Sequence, residues 1–153
     1  TPSGYGADYL SPRVNVRAFT SIGNIFGGGY GRSAVVTGNT SVTIDEIEGG
    51  RAYDVTEDNG VPTLIDGTNV RLYSRKSTDK MGVIGNVYGG GNAAKVNGNT
   101  NVTIGTQSEV VLVSTGETKS VIGADIRGNV YGGGNAADVS GKTNVVIGKN
   151  NNE

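Results

Sequence analysis

The densest collection of residues able to do chemistry lies in one stretch, residues 45–83. Asp45, Glu46, Glu48, Asp54, Glu57, Asp58 and Asp66 there precede Arg71, Arg75, Lys76 and Lys80, with Tyr53 and Tyr73 close by. Pairs of carboxylates are the groups with which glycosidases protonate a leaving group and activate an attacker. Tyrosine beside arginine makes a surface on which a sugar ring or a partner's side chain can stack. Three readings are open: a solvated charged loop, a surface for glycan or protein formed by Tyr53, Arg71, Tyr73 and Arg75, and a hydrolase or lyase site. The last is the weakest, because acids close in sequence need not converge in space.

Two shorter motifs suggest anion or cation chemistry. Residues 136–143, AADVSGKT, fit a relaxed phosphate-loop pattern, but phosphate binding needs a following helix to present its N-terminal amides. The residues that follow, Asn144, Val145, Val146 and Ile147, read as a strand, and the matching place earlier in the chain, Gly98-Asn99-Thr100, has no lysine. A repeat turn explains it better. The stretch Gly132-Gly133-Gly134-Asn135-Ala136-Ala137-Asp138 is reminiscent of calcium-binding Gly/Asp repeats, yet the equivalent of Asp138 is Lys95. A ladder of hard oxygen ligands is therefore not expected, and neither a cofactor nor a metal is.

Composition removes other classes. The chain has no cysteine and no histidine, so disulfides, thiolate sites, a histidine-dependent triad and imidazole metal ligation are excluded within it. Thirteen basic and 14 acidic residues leave a formal charge of -1, with no basic field for nucleic acid or anionic lipid. No apolar run is long enough to span a membrane. Glycine is the outlier: 27 of 153 residues, without a Gly-X-Y period.

What must position any of these residues is a repeat. Residues 85–105, GNVYGGGNAAKVNGNTNVTIG, recur as GNVYGGGNAADVSGKTNVVIG at 128–148, with 17 of 21 positions identical. A looser copy, GNIFGGGYGRSAVVTGNTSVTI, occupies 23–44, with two extra residues after its Gly triplet. In each, Thr-x-Val-x-Ile alternates as a strand does. Phe26, Tyr88 and Tyr131 are equivalent, as are Asn24, Asn86 and Asn129, so ladders of like residues are expected. A strand from Val14 and a fourth relative at residues 68–72 complete the pattern. No helical periodicity exists. The glycines suggest close approach of neighbouring backbone.

The spacings of 62 and 43 residues between Gly triplets equal three and two turns of roughly 21 residues, within the range of stacked repeats. That arithmetic predicts an all-β, right-handed parallel β-helix, or β-solenoid. It would comprise a linker or docked end at 1–12, one domain at 13–148 with repeats at 22–44, 84–105 and 127–148, and a polar tail at 149–153. The first spacer would add a turn or a protruding loop. A flat threonine face of the ice-binding kind is not expected, since this arithmetic separates Thr43 from Thr103 and Val146 breaks the row.

GNVYGGGNAA followed by V-x-G-x-T-x-V-x-I-G resembles the repeats of adhesin-like β-helix surface proteins of gut bacteria of the Bacteroidetes and Clostridia type. The resemblance covers residues 22–148 in patches and departs at Tyr30-Gly31-Arg32. It implies an extracellular or cell-surface location and a structural or adhesive role. The expectation is a non-enzymatic segment of a bacterial surface protein that binds glycan or a host protein through spacer 45–83. Flanking repeats or self-association would cover its ends. The alternative is a polysaccharide-cleaving β-helix enzyme.

Overall fold

In the computed structural model each copy of the repeat forms one layer, and the three layers lie on one another in register. The structure describes residues 11–19, 21–48, 82–113 and 115–148, together with the backbone of 63–64 and 71–72. It is all-β, with no helix among the described residues. Residues 1–10 of the linker expected at 1–12, and the tail at 149–153, lie outside them.

The Thr-x-Val-x-Ile half of each copy becomes a strand of the first sheet: β3 (Thr40–Ile44), β8 (Thr100–Ile104) and β13 (Thr143–Ile147). β1 (Arg13–Val16) lies below them, giving the all-parallel order β1-β3-β8-β13. Alternation fixes the register. Val14, Val42, Val102 and Val145 share one row and Val16, Ile44, Ile104 and Ile147 another, so a one-residue slip would turn both rows outward.

The half before each Gly triplet builds a second parallel sheet. Its centre, β7 (Val83–Tyr88), pairs on one edge with β2 (Ser21–Phe26) and on the other with β11 (Asp125–Ile126) and β12 (Val130–Tyr131). Ile22, Ile84 and Ile126 align, as do Ile25, Val87 and Val130. The third copy has one more residue between these two rows than the second, a local bulge at residues 127–129. Single parallel bridges Tyr30–Asn92–Asn135 and Val36–Val96–Val139 carry the register between the sheets.

The core is the set of inward side chains from both sheets: Val16, Ile25, Val42, Ile44, Ile84, Val87, Val102 and Ile104. Each stabilises the fold by about 1.5–3 kcal/mol relative to exposure. The two extra residues of the first copy are absorbed in a turn where Gly31 takes φ +87° and its carbonyl accepts the Ala34 N–H at 3.0 Å. The departure at Tyr30-Gly31-Arg32 thus leaves the layer intact.

The registers correct the turn length expected from spacing. Neighbouring layers are neighbouring copies, so 62 and 43 residues each separate one layer from the next. Between copies, the described strands pair outside the stack. In the second interval, β9 (Glu109–Val111) pairs antiparallel with β10 (Thr118–Gly123), which also pairs antiparallel with β4 (Glu46–Ile47). In the first, β5 (Thr63–Leu64) pairs antiparallel with β6 (Arg71–Leu72). Residues 71–72, the end of the expected fourth relative, therefore join a hairpin and not the stack.

Two acids at the start of the first interval are not solvated. Asp45 and Glu46 are buried, Glu46 accepting the Gly82 N–H through Oε1. Asp45 is 1% exposed, and neither carboxyl oxygen has a hydrogen-bond partner among the described residues. A buried carboxyl group without partners is costly. Asp45→Asn, which keeps the shape and cannot ionise, is expected to raise the melting temperature; a lower midpoint in a thermal melt followed by circular dichroism would contradict this.

Candidate functional site

Strand alternation that sends Val and Ile inward sends the intervening residues of the first sheet out. They form two rows: Arg13, Ser41, Asn101 and Asn144 in one, and Asn15, Thr43, Thr103 and Val146 in the other. Strands about 4.8 Å apart bring each row's hydroxyls and amides to a regular spacing. The Thr103 hydroxyl donates to Thr43 Oγ1 at 3.2 Å. The expectation that these threonines lie far apart is thus overturned, because no layer intervenes between the first two copies. Val146 ends the row.

At the N-terminal side of this face lies a groove of about 460 Å³ bordered by Ser11, Arg13, Asn15, Ser41, Thr43 and Asn101. Its chemistry is that of uncharged donors and acceptors with a single guanidinium at the margin. A rigid floor of hydroxyls and amides suits a ligand rich in hydroxyl groups, for which both partners donate and accept.

The edges of the layers are held by ladders. Phe26, Tyr88 and Tyr131 stack with ring centroids 4.8 and 5.0 Å apart and interplanar angles of 11° and 17°. Asn86 Nδ2 donates to Asn24 Oδ1 at 3.0 Å, while Asn86 Oδ1 accepts the Asn129 N–H at 2.9 Å. The third rung of that ladder is thus made by backbone. Asn39 and Asn99 likewise accept the N–H of Asn99 and Lys142, each at 2.8 Å, and Asn135 Nδ2 donates to Asn92 Oδ1 at 2.8 Å. Inside, the Thr40 and Thr100 hydroxyls donate to the Gly89 and Gly132 carbonyls of the next layer at 2.5 Å. These repeated polar positions thus satisfy groups in an adjacent layer.

No family model matches the chain, and no curated protein or solved structure does either. The reading of this face rests on its own geometry.

Of the residues singled out for binding, Tyr53, Tyr73 and Arg75 lie outside the described residues, and Arg71 is placed only as backbone opposite Leu64. The Gly141-Lys142-Thr143 motif runs straight into β13, and its lysine N–H serves the Asn99 ladder. Asp138 faces Lys95 at 3.8 Å across the stack, an exposed pair that contributes little. Among the described residues no cluster of three acids, cysteines or histidines is placed to hold a metal, and no helix is long and apolar enough to cross a membrane. The outward rows escaped the sequence reading because the assumed 21-residue turn put other residues between them. Aligning the copies as direct neighbours is the signal that finds them.

Proposed function

We propose that the chain is a segment of a right-handed parallel β-helix that serves as a stiff, adhesive element of an extracellular bacterial surface protein. The observation that carries this reading is the use made of the shared residues. Glycine, asparagine, threonine, valine, isoleucine and aromatic positions common to the copies are spent on contacts between layers. A structure built this way transmits load along its axis through hydrogen bonds and core contacts repeated at every step. Parallel crossovers of this kind are right-handed in nearly all sheets.

Adhesion is assigned to the polar face and its groove, with spacer 45–83 as a second contact region through Tyr53, Arg71, Tyr73 and Arg75. Glycan is the ligand class best matched by the hydroxyl and amide rows. The test is binding of the purified chain to a glycan array and to host extracellular proteins. Saturable glycan binding, weakened at least about tenfold by the double substitution Asn15→Ala and Asn101→Ala, is expected if two or more hydrogen bonds are lost. Absence of saturable binding would remove the adhesive part. New reducing or unsaturated ends in the glycan would overturn the non-catalytic reading.

A further inference from the structure

We infer that Tyr88 and Tyr131 form a cross-linking site, at which a peroxide-driven one-electron oxidant joins the two rings as dityrosine and staples the second layer to the third. The two residues close β7 and β12, and these strands pair parallel with Tyr131 directly opposite Tyr88. The same side chain at the same position of parallel strands brings like atoms together: the ring centroids lie 5.0 Å apart at an interplanar angle of 17°. That separation is close to the spacing of the strands themselves, about 4.8 Å. The two side chains therefore run alongside each other with their phenol ends adjacent.

Packing alone does not call for the hydroxyl groups. Phe26 holds the same place in the first copy and stacks on Tyr88 with centroids 4.8 Å apart at 11°, at least as well as Tyr131 does. A ladder of phenylalanines would serve contact between layers equally. What tyrosine adds is a ring that gives up one electron and one proton to become a phenoxyl radical, with unpaired density on the ring carbons ortho to oxygen. Access is provided as well. Tyr88 carries a ring on each face and is still only half-buried, so its outer edge is open to solvent. That opening lies on the side of the stack and owes nothing to either end of the chain.

Hydrogen peroxide acting through a haem peroxidase balances the reaction. Each phenol loses one electron and one proton, and the two radicals couple through one ortho carbon of each ring. The ring hydrogens at the new bond then shift to the oxygens, which restores both aromatic rings and both hydroxyls. Peroxide takes up the two electrons and two protons and leaves as two molecules of water. Phe26 has no phenol, so the ladder forms one link. Tyr30, the other described tyrosine, is 80% exposed and has Asn92 opposite it in the second layer, so it finds no like ring there. A carbon–carbon bond between residues 88 and 131 closes a long loop in the unfolded chain and so favours the folded one.

Oxidation of the folded chain by peroxidase and hydrogen peroxide, at a dilution where chains rarely meet, tests this independently of any glycan. The expected single-chain product has lost two hydrogens, shows dityrosine fluorescence and yields on proteolysis one linked pair of peptides carrying Tyr88 and Tyr131. The same treatment in denaturant should give this pair in at least about tenfold lower yield, because only the fold holds the two rings at high effective concentration. Tyr88→Phe and Tyr131→Phe, each introducing the residue that the first copy already carries, should abolish the link with the circular dichroism of the chain unchanged. The linked chain should unfold at a higher denaturant concentration than the unlinked one. Absence of the Tyr88-to-Tyr131 link from the single-chain product, equal yields with and without denaturant, or an unfolding midpoint that does not rise on linking would overturn the inference.

Discussion

Gly90→Ala is expected to destabilise the fold by about 1–3 kcal/mol, the cost of forcing an extra group into packed structure, while Gly133→Ala should stabilise it. The two glycines occupy the same position of consecutive copies, and neither has a positive φ, so alanine is conformationally acceptable at both. What differs is the neighbour. A Cβ on Gly90 would lie 2.7 Å from the Gly134 nitrogen, 2.8 Å from its Cα and 3.1 Å from the Gly133 carbonyl carbon, all backbone that cannot rotate away. To admit it the second and third layers must separate locally, stretching the Gly90 N–H to Gly133 carbonyl bond, now 3.0 Å. On Gly133 the methyl group meets open space, leaving only the gain of about 0.4–1 kcal/mol from restricting the unfolded chain. Denaturant unfolding of both variants, at a dilution where the chain is monomeric, should shift the midpoints in opposite directions. Shifts of the same sign would show that the triplet does not serve contact between layers.

The contrast also marks how far the sequence alone could be read. Copies of Thr-x-Val-x-Ile announce strands because valine and isoleucine at every second position have one face to bury, and the strands are where that pattern places them. The aromatic ladder of Phe26, Tyr88 and Tyr131 and the asparagine ladder from Asn24 were legible because like residues at equivalent positions stack when copies lie in register. The length of a layer was not legible. Sequence spacing counts every residue between two copies, including hairpins that leave the stack, and nothing in the spacing separates 62 residues in one excursion from three tight turns. The outward rows were lost with it, since Thr43 and Thr103 become neighbours only when no layer stands between them. Burial of Asp45 and Glu46 ran against residue type altogether: charged side chains at the end of a strand read as solvent-facing, and only the tertiary arrangement brings Gly82 onto the Glu46 carboxylate.

Ile44→Ala is expected to cost about 2–5 kcal/mol, and Ile147→Ala, at the same repeat position, below about 1 kcal/mol in the monomer, as for other exposed positions. Ile44 is fully buried between Val16 of β1 and Ile104 of β8, its register partners, and it belongs to the continuous core. Truncation there leaves a void that the layers on either side cannot close, because their separation is fixed by hydrogen bonds such as Asp45 N–H to the Val16 carbonyl at 3.0 Å and Gly105 N–H to the Ile44 carbonyl at 2.8 Å. The loss is therefore the transfer term plus nearly the whole cavity term. Ile147 has the same backbone support beneath it, Gly148 N–H donating to the Ile104 carbonyl at 2.8 Å, but its side chain is 64% exposed. Truncating it removes little buried surface and leaves no cavity. Chemical denaturation of both variants reads this difference. Equal costs at the two positions would show that the rows of β3 and β13 do not differ in burial.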